Sequence, residues 1–264
     1  MTTNVITHGD SRLYIPNMQK KIQCYITDPP YGMNFASNSA QTEVGKKFTR
    51  KIASDGDLYE AIELFHSVSG PIIAKMDEEV DIYIFTAWHI LEWWLPAVKE
   101  LTFIQPDGTK ADNRWVWSFE KNKEVLWDPK GFDNNIRLKQ MLIWEKGDPG
   151  QGDLMANWGC GHEVILYLKK GRRPIPSRRS AVLHYDKVRT GTNIHPTEKP
   201  VPLLRLLIEM STNPGDLVVD PFSGSGSTSV AAMETGRNSW GFELDDEYVR
   251  KSQERLETDT LFNA

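Results

Sequence analysis

Short apolar runs alternate with longer amphipathic stretches along this chain. Residues 24–27, 81–86, 140–144, 163–168, 217–219 and 239–242 are mostly apolar and rich in β-branched and aromatic side chains, which predicts strands buried on both faces. Between them, residues 58–68, 88–101, 202–210, 227–234 and 247–256 carry apolar positions at helical spacing, with a kink expected at Pro96. Strands alternating with helices predict an α/β fold: a doubly wound, mostly parallel sheet with helices on both faces. One domain over residues 1–264 accommodates the pattern. Such sheets hold their ligands beyond the carboxyl ends of the strands.

Composition narrows the class. Of the 264 residues, 39% are apolar and 25% charged, so a packed core is feasible and bulk disorder is not expected. The most apolar window, residues 80–98, is interrupted by Asp81, His89 and Glu92 and reads as a strand followed by a helix, not a membrane span. The first ten residues lack a basic segment followed by an apolar one, so no signal peptide is expected. Two cysteines, Cys24 and Cys160, make no disulfide framework and suit a reducing, cytoplasmic setting. Cys160 and His162 form a lone pair of ligand types where a structural metal needs four, so no metal is expected.

The net charge is −5, yet Lys169, Lys170, Arg172, Arg173, Arg178, Arg179, Lys187 and Arg189 form a basic stripe against Asp186 alone. Taken by itself the stripe reads as a solvated loop. A smaller group comprises Lys46, Lys47, Arg50 and Lys51. Three stretches, 33–56, 102–138 and 171–194, break the strand–helix rhythm; long irregular insertions in compact domains are commonly functional, and substrate contacts are expected there.

Two motifs carry chemistry. Asp220-Pro221-Phe222-Ser223-Gly224-Ser225-Gly226-Ser227-Thr228 joins a strand to a helix start. Glycines let backbone approach a ligand closely, and the helix start offers free N–H groups. The next strand ends in Glu243, roughly 20 residues on, where a carboxylate suits ribose hydroxyls. Together they suggest a nucleoside-containing cofactor. The second motif, Asp28-Pro29-Pro30-Tyr31-Gly32, follows the strand at 24–27. Consecutive prolines remove two N–H donors while their carbonyls still accept. With the Asp28 carboxylate and a flat Tyr31 ring, the turn suits an NH₂ group beside a stacked base; a rigid strand-exit turn with a buried tyrosine is the alternative.

These two motifs together resemble those of the amino-group DNA methyltransferases, N6-adenine or N4-cytosine specific. The catalytic motif precedes the cofactor motif, as in the circularly permuted β subgroup. His195-Pro196-Thr197-Glu198-Lys199-Pro200, His8-Gly9-Asp10, Trp144-Glu145-Lys146 and Gly161-His162-Glu163-Val164-Ile165-Leu166 are similar to further family segments, so the resemblance spans nearly the whole chain. It implies a Rossmann-like fold and S-adenosylmethionine as methyl donor. By residue, it implies Asp220, Phe222, Gly224 and Gly226 along the methionine and adenosine, Glu243 on the ribose, Asp10 on the adenine amine, and Thr197 and Lys199 at the methionine end. Asp28, Pro29, Pro30 and Tyr31 would be catalytic. The substrate would be double-stranded DNA with one base flipped out, and Lys169, Lys170, Arg172, Arg173, Arg178 and Arg179 would contact phosphates.

The resemblance further implies a cytoplasmic enzyme, prokaryotic or phage-encoded, monomeric or homodimeric, of the kind used in restriction–modification. Asp rather than Ser at position 28 leans towards adenine. Cytosine-N4 methylation, action on RNA or a protein amide, and a catalytically silent DNA-binding regulator stay open. The gap before His195 is short for a target-recognition region, which leaves recognition to 171–194 or to 102–138.

Overall fold

The computed structural model describes residues 2–32, 56–103, 115–118, 123–126, 134–147, 158–188, 194–195 and 197–263. An eight-stranded sheet forms the centre, with strands β1 (Asn4–His8), β2 (Ile22–Thr27), β3 (Met76–Thr86), β6 (Ile136–Glu145), β7 (His162–Lys170), β8 (Val182–His184), β9 (Leu217–Asp220) and β10 (Asn238–Glu243). A separate hairpin pairs β4 (Trp115–Ser118) with β5 (Lys123–Leu126). The sheet order is β1-β10-β9-β2-β3-β7-β6-β8. Every strand of it but β7 points the same way, β7 lying antiparallel to both β3 and β6.

Helices α1 (Ser11–Tyr14), α2 (Leu58–Lys75), α3 (Leu91–Glu100), α4 (Val201–Ser211), α5 (Ser227–Glu234) and α6 (Asp246–Asn263) complete the described chain. Asp57 caps α2 by accepting from the Tyr59 and Glu60 N–H groups, which satisfies two of its orphan donors. The expected kinked helix at 88–101 is a 3₁₀ turn, Trp88–Ile90, followed by α3 with Pro96 inside it.

Strand side chains alternate between faces, and here both faces are apolar. Tyr25, Ile82, Ile84 and Val219 pack against Phe65, Val68 and Ile72 of α2 and Trp94 of α3. Their neighbours Cys24, Ile26, Tyr83, Phe85 and Val218 pack on the other face against Leu203, Leu207 and Ile208 of α4 and Ala231 of α5. This two-sided burial is the physical reason the strand segments read as unbroken apolar runs. The expected doubly wound fold is what forms.

Two expectations are corrected or extended. Residues 4–8 and 182–184 add strands β1 and β8. The basic stripe is split. Lys169 lies opposite Asp81 in the β3–β7 ladder; it is buried and ion-paired to Asp81 at 2.8 Å, so it does not face a phosphate. Arg173 donates to the Ser211 carbonyl at 2.6 Å and pairs with Asp216 at 3.6 Å. Because β7 is reversed, Lys170 ends it beside Val80, at the edge where the parallel strands begin, and Arg172 follows there. Arg178 and Arg179 are exposed on the segment returning from that edge. Of the insertion at 33–56, all but Gly56 lies outside the described residues, as do Lys46, Lys47, Arg50, Lys51, Arg189 and, within 102–138, residues 104–114, 119–122 and 127–133. No helix among the described residues is long and apolar enough to cross a membrane.

Candidate active site

The parallel strands β1, β2, β3, β9 and β10 all end at one edge, and reversed β7 begins there, His162 and Val164 facing Glu145 and Thr86. A cavity of about 660 Å³ opens along that edge, within the ~300–1,000 Å³ usual for small-molecule sites. By strand end, Gly9, Asp10, Ser223, Gly224, Ser225, Glu243 and Asp245, after β1, β9 and β10, line one side, the first lobe; Asp28, Pro29, Pro30, Tyr31, Trp88, Lys146, His162 and Glu163, at the ends of β2, β3 and β6 and the start of β7, line the other, the second lobe. Thr197, Lys199, Asp220 and Phe222 also line the cavity. The two motifs, far apart in sequence, are therefore adjacent walls of one space.

The glycine turn is built by its own hydrogen bonds. Ser223 N donates to the Phe242 carbonyl at 2.9 Å and Gly226 N to the Ser223 carbonyl at 2.8 Å. The Glu243 carboxylate accepts from Gly224 N at 3.0 Å through one oxygen and from Leu244 N and Asp245 N through the other. Glu243 thus ties the turn to the end of β10, and burial raises its pKa. Gly224 has φ +47, and a Cβ there would sit 3.6 Å from the His195 ring, on the cavity side. Gly226 differs from expectation: it does not line the cavity. It caps α5 at φ +75, and a Cβ would come within 2.7 Å of Ile6 and 2.9 Å of Ser252, so its role is to let α5 pack against β1 and α6.

Asp220 accepts from Thr228 Oγ1 at 2.6 Å and Phe222 N at 3.1 Å. Burial nonetheless pushes its pKa up to about 7. The sign follows from linkage: with the folded pKa raised from 3.8, its stabilising contribution is complete below pH 3.8 and is lost as pH rises through 7. Asp220→Asn is accordingly expected to melt higher than the unaltered protein at pH 8 and to lose most of that advantage by pH 5. Thermal melts at both pH values check this, and an equal difference at the two contradicts it.

Asp10 caps α1 and is held by Arg12, whose guanidinium donates to both carboxylate oxygens at 2.5–3.0 Å. That pair keeps the Asp10 pKa low. His195 packs edge-to-face on Tyr248 at 4.6 Å, and burial, aided by Lys199, pushes its pKa down to about 4. Its segment is docked by Arg255, which reaches Glu198 at 2.9 Å and the Ser225 carbonyl at 3.3 Å. Pro196 lies outside the described residues.

In the second lobe, the Tyr31 hydroxyl donates to one oxygen of Asp28 and the Lys199 ammonium to the other. The Tyr31 ring meets Trp94 edge-on at 6.1 Å. Lys199 is buried, lies 3.4 Å from Glu163 and sits over the Phe85 ring. Glu163 in turn pairs with Lys146 at 2.5 Å. Neither Lys146 nor Glu163 stood out in the sequence as a site residue: only the reversal of β7 brings its first residues to this edge. Lys199, expected at the methionine end, reaches the acidic residue of the other motif. Lys187 is exposed and lines the cavity. Of the phosphate-binding candidates, none of Lys169, Lys170, Arg172, Arg173, Arg178 and Arg179 lines it.

Comparison with known proteins agrees with this geometry. The model of the DNA methylase family matches residues 107–254. The chain is 43% identical to the DNA adenine methyltransferase YhdJ of Escherichia coli (strain K12), over 98% of this chain and 84% of that one. It is 38% identical to the type II methyltransferase M.HpaI of Haemophilus parainfluenzae, over 93% and 71%. Among solved structures, the cytosine-N4-specific PvuII DNA methyltransferase superposes with a TM-score of 0.64 at 17% identity, covering 98% of this chain and 91% of that chain. The M1.HpyAVI–SAM complex superposes at 0.61 and 19% identity, covering 95% and 98%. A doubly wound sheet, two motifs meeting at its carboxyl edge and relatives matching along most of their length have one common meaning: the chain belongs to the DNA methylase family.

Proposed function

We propose that this protein is an S-adenosylmethionine-dependent DNA methyltransferase acting on N6 of adenine. The observation that carries the reading is the meeting of the Asp28-Pro29-Pro30-Tyr31 turn and the Asp220–Gly224 turn across one cavity. The cofactor fits the chemistry of the first lobe: a cationic, hydroxyl-rich nucleoside meets a wall of carboxylates, Asp10, Asp220, Glu243 and Asp245, beside a glycine whose missing side chain leaves backbone exposed. When bound, S-adenosylmethionine supplies an electrophilic methyl group.

The chain's own residues do the rest. Asp28 and the Pro29 carbonyl accept hydrogen bonds from the exocyclic amine of a flipped base. Acceptors there favour a tetrahedral nitrogen, withdrawing its lone pair from the ring and aiming it into the cavity. Positive charge develops on that nitrogen during attack, and the Asp28 carboxylate stabilises it. The Tyr31 ring borders the same lobe and offers a face for stacking, worth about 1–3 kcal/mol in comparable aromatic–base contacts. Holding both reactants in one walled space supplies the positional advantage.

Adenine is favoured by Asp28 at the head of the motif and by the 43% identity to a relative named as an adenine methyltransferase. Cytosine N4 is the second reading, favoured by the structural likeness to a cytosine-N4-specific enzyme. Methylating unmodified genomic DNA and sequencing it by a method that detects modified bases separates the two: modified adenines support the first and modified cytosines the second.

DNA footing is proposed at the cavity mouth and away from the opposite sheet edge. Lys187→Glu is expected to weaken DNA binding and reduce the salt slope by about 1, while Lys170→Glu leaves the slope unchanged. The reverse pattern in salt-dependent binding isotherms contradicts this placement.

A further inference from the structure

The second lobe holds four alternating charges: Lys146, Glu163, Lys199 and Asp28. Lys199 is buried, and Glu163 and Asp28 are mostly so. Neither cofactor binding nor the amine-accepting turn requires Lys146 or Glu163. We propose that Glu163 and Lys146 are positioning residues that act on Asp28 through Lys199: Glu163 holds the lysine where it meets Asp28, and Lys146 offsets the Glu163 charge so that Asp28 faces the target amine as a carboxylate. This rests on the reading of Asp28 as the amine acceptor.

The geometry has a simple electrostatic logic. Glu163 and Asp28 share a single buried ammonium, that of Lys199. Two carboxylates competing for one cation cannot both ionise freely. Lys146, at 2.5 Å from Glu163 and not in the ion pair with Asp28, settles the competition on the outer member. Glu163 then ionises below the ordinary glutamate range, its burial outweighed by the two ammonium groups. Asp28 remains the poised member, raised by burial and by the Glu163 charge and lowered by Lys199 and by the Tyr31 hydroxyl. Asp220 faces the same space, and its pKa is raised in part by Asp28. Glu163 Oε2 has no well-aligned hydrogen-bond partner among the described residues and lies 3.4 Å from Lys199 Nζ, so it acts on the lysine mainly through charge. Lys199 also donates to the Thr197 carbonyl at 3.3 Å, which anchors it from the cofactor side.

Opposite charge changes must then move Asp28 in opposite directions. Glu163→Gln leaves the cluster with excess positive charge, so Asp28 ionises more readily. Lys146→Met leaves excess negative charge, so Asp28 ionises less readily. The acid limb of the kcat–pH profile is expected to move down by about one pH unit in the first and up by about one in the second. In both, kcat at pH 7.5 falls about tenfold while KM for the cofactor stays within twofold, and Glu163→Asp recovers most of the loss.

Carboxylate infrared titration of protein labelled with ¹³C-aspartate, its band assigned with Asp28→Asn, reads the same two displacements without turnover. A wild-type protein that transfers no methyl group to DNA therefore overturns the proposed function, and the titration still decides the positioning role. Limbs and bands unmoved in both variants, or moved in the same direction, overturn the inference.

Discussion

Asp28→Asn is expected to lower methyl transfer to DNA by about 10²–10³-fold, the usual loss when one preorganised group facing developing charge is removed. The substitution keeps the shape of the side chain and one acceptor oxygen but removes the negative charge that Tyr31 and Lys199 address. The amine still binds, so KM for DNA changes little, while the transition state loses its counter-charge and kcat falls. Cofactor affinity stays near wild type, because the opposite lobe, from Gly9 to Asp245, is untouched. Single-turnover transfer of a labelled methyl group, with calorimetric binding of the cofactor as control, measures both. A turnover rate within tenfold of wild type contradicts the role given to Asp28, and lost cofactor binding contradicts the division into two lobes.

The two glycines of the Asp220–Thr228 motif are expected to fail in different ways. Gly226→Val places a β-branched residue at φ +75, with its Cβ 2.7 Å from Ile6 and 2.9 Å from Ser252. Backbone strain of about 1–3 kcal/mol and overpacking of about 1–3 kcal/mol together take away a large part of a typical domain's stability. The denaturation midpoint should fall sharply, with cofactor binding lost only as a consequence of unfolding. At Gly224 a Cβ meets the His195 ring at an ordinary 3.6 Å, on the cavity side. Gly224→Ala should therefore weaken cofactor binding with a much smaller loss of stability. Urea titrations and calorimetry on both variants check the contrast; a stable, fully folded Gly226→Val contradicts it.

Where the sequence was readable, local pattern carried the information. The central strands announce themselves because both their faces are covered, so every residue from Cys24 to Thr27 is apolar or small. The helix at Ser227–Glu234 starts at its glycine cap and ends as expected. Strand β1 gave no such signal, for Ile6 is its one buried residue. What holds β1 is non-local: parallel pairing with β10, and side-chain bonds from Trp240 to Thr7 and Ser239 to Asn4.

The same limit applies to the charges. Lys169 looks like part of a solvated stripe until the β3–β7 register sets it against Asp81. Glu163 looks like the polar start of a strand until the reversal of β7 delivers it to Lys199. Both depend on which strands become neighbours, and residue spacing along one strand does not encode that. The motifs were legible because their chemistry is local to a turn; their conversion into one site depends on sheet order.

The most direct test is to incubate the protein with S-adenosylmethionine carrying a trideuterated methyl group and unmodified double-stranded DNA, hydrolyse the DNA to nucleosides and weigh them by mass spectrometry. The expected product is deoxyadenosine with the trideuteromethyl group on N6, formed about 10²–10³-fold more slowly when Asp28→Asn replaces the wild type. Label on cytosine N4 keeps the site and changes the base, whereas no labelled nucleoside under conditions where the cofactor binds contradicts methyl transfer to DNA by this cavity.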